Sequence, residues 1–220
     1  MTTVTTSPTT GHSPGPGEPA DQADLPADSV GAPADQPDLP GATIWLTGLP
    51  SAGKTTLARA VAAELTRRGR RVEVLDGDIV RESLCADLGF SRADRDTNVT
   101  RIGFVAALLA KHGVIALAPV ISPYAAARDA VRARHAAFGA AFLEVHVATP
   151  VEECAARDVK GLYARQRAGE LTGLTGVDDP YEPPVAPELR VETTGTVEQT
   201  AAAVLAVLDE RGRGGDGPAR

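Results

Sequence analysis

The sequence predicts an α/β fold: a three-layer, doubly wound sandwich around a mostly parallel five-stranded sheet. Three observations predict it. Short apolar or β-branched runs alternate with segments of helical periodicity, the pattern of a sheet covered by helices. The first run, Ala42 to Thr47, leads into Gly48-Leu49-Pro50-Ser51-Ala52-Gly53-Lys54-Thr55, which fits G-x-x-x-x-G-K-[ST]. Residues 157–183 are rich in cations and glycine and show little apolar periodicity. That suits a mobile lid closing on phosphates, with a plain surface loop as the alternative.

The glycine loop sets the frame. Leu57, Val61 and Leu65 follow it at i+4 spacing, so strand, loop and helix stand in the order the motif needs. Gly48 and Gly53 permit backbone angles that turn successive N–H groups toward phosphate oxygens, and the helix N-terminus adds partial positive charge. Lys54 can reach terminal phosphates, and the Thr55 hydroxyl can hold a magnesium ion. The alternative is a glycine turn that happens to carry a lysine.

Composition bounds the rest. The chain has 220 residues and a net charge of −7. Residues 1–40 hold 8 of the 17 prolines, six acids and no Lys, Arg or aromatic residue. Such a segment has little to bury, so it reads as a disordered acidic tail. Residues 41–211 form the expected domain, and 212–220 a frayed end. Without the tail the chain carries 22 basic and 23 acidic residues, a poor footprint for duplex nucleic acid. No basic-plus-apolar leader opens the chain, and no stretch of about 18 apolar residues suggests a membrane span. Cys85 and Cys154 make neither a disulfide framework nor a metal spacing. The expectation is a soluble, cytoplasmic protein.

The second strand, Val72 to Leu75, runs into Asp76-Gly77-Asp78. Carboxylates beyond a strand's C-terminal end lie on the edge where doubly wound folds bind ligands. Asp78 could orient magnesium or take a proton from a hydroxyl; the alternative is an Asp-Gly turn. A short helix over 79–88 holds Arg81. Ser91 and Asp94 resemble a capping pair for a helix over 95–111. Arg95, Asn98 and Arg101 lie along it, able to meet a phosphate, sulfate or base, or forming a solvated face.

Val114 to Ala118 is a third, nearly all-apolar strand. Beyond it, Ser122 reaches the ligand edge, or serves as a turn or cap for a helix over 124–136 that presents Arg128, Arg132 and Arg134. Phe142 to Val147 is the fourth strand, with His146 read as a packed or partly exposed histidine. Pro150 opens the next helix. Leu189 to Thr193 is the fifth strand. Thr196 and Gln199 box the last helix, to about Asp209. These residues indicate a small phosphotransferase without naming its acceptor.

Taken together, I-W-L-T-G-L-P-S-A-G-K-T-T (44–56), L-D-G-D (75–78), L-G-F-S-R-A-D-R-D-T-N-V-T-R-I-G (88–103), V-I-S-P-Y (120–124), R-D-V-K-G-L-Y (157–163) and L-T-G-V-D-D-P-Y-E-P-P (174–184) resemble the adenylylsulfate kinase family. The resemblance covers residues 42–210. It implies a P-loop nucleoside-triphosphate kinase that uses ATP and Mg2+ to phosphorylate the 3′-hydroxyl of adenosine 5′-phosphosulfate (APS), in sulfate activation.

By resemblance, Gly48, Leu49, Pro50, Ser51, Ala52, Gly53, Lys54, Thr55, Thr56 and Arg157 bind ATP. Asp76, Arg81, Phe90, Arg95, Asn98, Ile121, Ser122, Lys160 and Leu174 hold APS. Thr55 and Asp78 hold the metal, and Lys54, Asp78 and Ser122 are the catalytic candidates. The family is commonly dimeric, and a sulfate adenylyltransferase stands upstream. Ser122 corresponds to a serine described in bacterial members as a phosphorylated intermediate. In-line transfer from ATP needs no phosphoenzyme, so its role stays open.

Two departures stand out. Pro50-Ser51 replaces the usual Ser-Gly, removing one N–H donor from the loop. Leu174 replaces an aromatic residue that packs on the substrate adenine, so the π-face is lost. Two rival readings remain: a small-molecule P-loop kinase with another acceptor, and a non-catalytic kinase-like regulatory module. Intact Lys54, Thr55, Asp78 and Arg95 argue against the second.

Overall fold

The computed structural model describes residues 40–193 and 195–214. The expected tail, apart from Pro40, and residues 215–220 lie outside the described residues.

Five parallel strands form one sheet in the order β2-β3-β1-β4-β5: β1 (Ala42–Thr47), β2 (Val72–Val74), β3 (Ile115–Pro119), β4 (Ala141–Val147) and β5 (Leu189–Val191). β1 sits at the centre and every residue of it is buried. Its side chains alternate between two cores, as the two-residue period of a strand requires. Ile44 and Leu46 join the apolar cluster under α1 (Lys54–Arg67) and α7 (Val197–Gly214). Trp45 joins the cluster under α3 (Arg92–Lys111). Helices on both faces of a parallel sheet give the three expected layers. α3 and α4 (Ala125–Ala137) pack so closely that a Cβ on Gly103 would stand 2.5 Å from a Val131 methyl carbon.

The remaining helices are short: α2 (Gly77–Glu82), α5 (Val151–Arg157) and α6 (Leu162–Arg167). Local signals placed several boundaries well. Ser91 and Asp94 form a reciprocal capping box on α3. Thr196 and Gln199 bond each other's backbone N–H groups at 3.3 Å. Pro150 is the N-cap of α5.

Other expectations are corrected. The helix expected over 79–88 runs over 77–82: Asp76 caps it early by accepting from Asp78 N, and residues 83–87 form turns instead of continuing it. α7 continues to Gly214, past the expected end near Asp209 and into the segment expected to fray. Residues 157–183 are not irregular throughout. They hold α6, and Tyr163, Leu174 and Thr175 are buried. Sparse, well-separated apolar residues anchor this segment without producing a periodic pattern.

Candidate active site

The C-terminal ends of parallel strands share one edge, and the expected site residues gather there. β1 delivers the phosphate loop. Gly48 has φ +154° and Gly53, the N-cap of α1, φ +99°. Ser51 also takes a positive φ, +61°, which costs a non-glycine residue about 1–2 kcal/mol.

Three hydroxyls hold the loop from outside. Tyr163 Oη donates to Pro50 O at 3.1 Å, and Thr149 Oγ1 donates to Ala52 O at 2.9 Å. Thr193 Oγ1 reaches Ala52 O at 3.3 Å. Arg157, expected at ATP, donates to Thr193 Oγ1 at 2.8 Å and lies near Gly53. Lys54 Nζ donates to Gly48 O at 2.9 Å and Leu49 O at 2.7 Å. Burial depresses its pKa to about 7, because an ammonium is costly away from water. Thr55 is half-buried and Thr56 exposed at the first turn of α1.

The residues expected at the acceptor come from five separate segments: 76–81, 90–98, 121–122, Lys160 and Leu174. At the end of β2, Asp76 is buried and accepts from Asp78 N, while the exposed Asp78 carboxylate pairs with Lys160. Arg81 donates to Gly89 O and stacks over Phe90, 4.5 Å from its ring centroid. Phe90 itself is 70% exposed, a flat apolar face open to a ligand.

Arg95 and Asn98 do not form a solvated helix face. Arg95 forks onto Gly173 O and Thr175 Oγ1, both at 2.6 Å, and lies 3.4 Å from Asp179. Asn98 is buried, and its Oδ1 has no hydrogen-bond partner. An unsatisfied buried carbonyl costs free energy and marks a place where a ligand donor would be welcome. Arg101 instead forks onto Asp87, away from this group.

The 173–184 turn is built around its acids. Asp178 accepts from Gly173 N at 2.9 Å and Leu174 N at 2.6 Å. A Cβ on Gly176 would stand 2.4 Å from Leu49 Cδ2, so the turn rests on the phosphate loop. Leu49 and residues 176–181 line a cavity of about 460 Å³. The Leu174 side chain is buried in the core under α1 and α7 rather than laid open.

Ser122 does not cap α4; Tyr124 holds that position. It is a buried residue at φ +39°, fixed from several sides. Its Oγ accepts from Trp45 Nε1 at 3.0 Å, and its carbonyl accepts from Arg128 at 2.7 Å. Thr47 Oγ1 donates to the neighbouring Ile121 O at 2.7 Å, leaving the Ile121 side chain half-exposed.

Arg128 is likewise not presented to solvent. It is buried, pairs with Glu144 at 2.8 Å and donates to Glu182 O at 2.7 Å. Its helix faces a sheet carrying Glu144, a charge that periodicity cannot locate. His146 is buried against Tyr181. Tyr163, Thr149, Thr193, Arg128 and Tyr181 were not among the residues singled out as candidates. Tyr163 lies inside the K-G-L-Y segment, and Thr149 follows a strand at the ligand edge, so position alone signalled both.

Among the described residues, no group of three or more His, Cys, Asp or Glu side chains is placed to hold a metal. The Thr55 hydroxyl and Asp78 carboxylate are hard oxygen donors. Such a set fits magnesium, which takes one or two protein oxygens beside phosphate oxygens. Cys85 and Cys154 are free and buried.

Comparison with known proteins points one way. The adenylylsulphate kinase family model matches residues 40–192. The adenylyl-sulfate kinase of Microcystis aeruginosa is 51% identical over 173 residues, covering 78% of this chain and 93% of that protein. The Mycobacterium tuberculosis APS kinase, solved in complex with AMPPNP and APS, superposes with a TM-score of 0.75 at 46% identity, over 77% of this chain and 98% of that one. A hexameric APS kinase from Thiobacillus denitrificans gives a TM-score of 0.62 at 39% identity, over 80% of this chain and 30% of that one.

Proposed function

This chain belongs to the adenylylsulfate kinase family, and we infer from that and from the site that it transfers the γ-phosphoryl group of ATP to the 3′-hydroxyl of APS. One observation carries the acceptor assignment. The turn held by Arg95 rests on Leu49, so a segment that resembles the APS site lies against the loop expected to hold the ATP phosphates.

In this reading the loop amides, Lys54 and the N-terminus of α1 hold the ATP phosphates. Phosphate oxygens compete with Gly48 O and Leu49 O for Lys54 and restore its charge. The 3′-oxygen attacks the γ-phosphorus, the bond to the ADP oxygen breaks, and Asp78 takes the hydroxyl proton. Magnesium, when bound by Thr55 and Asp78, neutralises charge on the transferring phosphoryl. Phe90 covers the adenine. Asp76, Arg81, Arg95, Asn98, Ile121 and Lys160 orient the rest of APS, and Leu174 lends its backbone to that wall. Ser122 positions the acceptor; its buried hydroxyl, bonded to an indole, is poorly placed to carry a phosphoryl group.

Adenylyl transfer to sulfate must supply the substrate, the reaction of a sulfate adenylyltransferase. A homodimer in the cytoplasm, with residues 157–183 closing as a lid, completes the proposal. Among the described residues no helix is long and apolar enough to cross a membrane.

The test is ADP release with ATP and a panel of acceptors. APS should exceed gluconate and nucleoside monophosphates by orders of magnitude. Equal rates with another acceptor would refute the assignment.

A further inference from the structure

The loop after β3 carries two residues expected at the acceptor, Ile121 and Ser122. Ser122 takes φ +39°, an angle that persists only where surroundings over-determine it. The helix that follows, α4, has no capping bond from its own N-cap side chain and no acid in its first turn. Contacts from distant parts of the chain supply what both lack.

Three successive carbonyls of the loop each receive a donor. Thr47 Oγ1 donates to Ile121 O at 2.7 Å, Arg128 Nη1 to Ser122 O at 2.7 Å, and Glu182 N to Pro123 O at 2.8 Å. The Glu182 carboxylate accepts from Ala125 N at 2.7 Å, so it caps α4 from 57 positions along the chain. An acid there satisfies an orphan N–H and suits the positive end of the helix dipole. The Glu182 carbonyl accepts from Arg128 Nη2 at 2.7 Å, so the arginine ties Glu182 to Ser122. Tyr181 Oη lies 3.0 Å from Thr47 Oγ1, which gives its own proton to Ile121 O and so accepts from the tyrosine. Glu182 thus grips the loop and α4 with its N–H, its carbonyl and its carboxylate at once.

We propose that Glu182 is a positioning residue for the acceptor. It locks the backbone of residues 121–125 so that Ile121 and Ser122 meet APS in one arrangement. The proposal rests on the kinase reading. Glu182 acts through that loop and touches neither ATP nor the transferring group. Tyr181 and Glu182 are then the fixed foot of the 157–183 segment, and its closing movement stops short of them.

Trp45 gives an independent readout. It is the chain's single tryptophan, and its Nε1 donates to Ser122 Oγ at 3.0 Å, so its fluorescence reports where Ser122 sits.

The test is steady-state kinetics of the full chain, wild type, Glu182→Ala and Glu182→Gln, with APS and ATP varied in turn. Thermal melts establish that each variant is folded, and Trp45 emission is recorded for each. Glu182→Ala should raise KM for APS about 10-fold, the scale of one hydrogen bond to a charged group, and leave KM for ATP within about twofold. Its emission should shift in the direction that Ser122→Ala shifts it. Glu182→Gln keeps an uncharged acceptor for Ala125 N and should raise KM for APS only about two- to threefold.

An unchanged KM for APS or an unchanged emission spectrum in folded Glu182→Ala would overturn the proposal. So would equal rises in both KM values, the mark of general loosening. If Glu182→Ala does not fold, the glutamine variant decides, and a wild-type KM for APS there overturns the proposal. In each of these cases a wild type that phosphorylates APS leaves the kinase reading standing. A wild type that does not phosphorylate APS overturns that reading, and this proposal with it.

Discussion

The donor and acceptor halves of the site are built by opposite means. The donor half is one contiguous loop with its own backbone turns, Gly48, Ser51 and Gly53 at positive φ and then a helix N-terminus, steadied from outside by the Tyr163, Thr149 and Thr193 hydroxyls. The acceptor half is made of contacts between distant parts of the chain. Arg95 meets Thr175 across 80 positions, Trp45 meets Ser122 across 77, and Thr47 meets Tyr181 across 134. The difference teaches where specificity resides. A local loop can be kept by many phosphotransferases, whereas an acceptor wall made by tertiary contacts belongs to one fold in one packing.

The strongest way to break the acceptor half is at Arg128. Arg128→Ala leaves the buried Glu144 with Arg132 as its remaining partner and frees Ser122 O and Glu182 O. Removing one partner of a buried ion pair costs about 3–5 kcal/mol, and with Arg132 retained a denaturant melt should show a loss at the lower end, about 3 kcal/mol. A loss under about 1 kcal/mol would mean that the wall is held by other contacts.

The donor half breaks without unfolding. Lys54→Ala should lower turnover about 10²- to 10³-fold, as expected when a charge aimed at the transition state is lost. Its melting temperature should stay near that of wild type. The depressed lysine has a pH signature as well. Folding depresses a base here, so the folded protein is penalised below the unfolded pKa near 10.5, and fully so below about 7. Stability from this group therefore rises between pH 7 and 10. Since phosphates restore the charge, ATP binding at pH 8 should take up a proton, seen by calorimetry in buffers of different ionisation enthalpy. Lys54→Met should abolish that uptake.

Ser122→Ala probes the join between the halves. It leaves the Trp45 indole N–H without its acceptor, at a cost of about 1–3 kcal/mol in stability. Activity should remain above about one per cent of wild type, because a positioning hydroxyl contributes about a tenfold effect. Abolished turnover in the folded variant, with phosphate on wild-type Ser122 that passes to APS, would restore the covalent role.

The smallest effect lies in the loop. Ser51→Gly relieves the positive φ and should stabilise by no more than about 1 kcal/mol, offset in part by the freedom glycine gains when unfolded. A destabilised variant would show that the Ser51 side chain holds the loop.

What the sequence revealed follows the same division. The phosphate loop, the capping boxes at Ser91 and Thr196, and the alternation of strand and helix are short-range signals, and all are present in the fold. The candidate acceptor residues were found through resemblance, but their neighbours were not. Arg128 read as a surface cation because its partner Glu144 lies on another element. For Arg95 the spacing leaves a solvated face open beside a ligand role, because Gly173 and Thr175 are far along the chain. For Ser122 a local cap stands open beside the ligand edge, because serine before proline caps locally, and only the tertiary structure shows the indole above it. Tyr163 carried no periodic signal, since α6 spans only Leu162–Arg167.

If the two halves meet to transfer phosphate from ATP to one hydroxyl of APS, the position of the transferred group reads that out. Wild-type protein incubated with magnesium, APS and ATP isotopically labelled at the γ-phosphoryl should give a single labelled product. Nuclear magnetic resonance should place the label on the 3′-oxygen of APS, in a one-to-one ratio with ADP. Label released as free phosphate, placed on another oxygen, or retained on the protein would contradict the account.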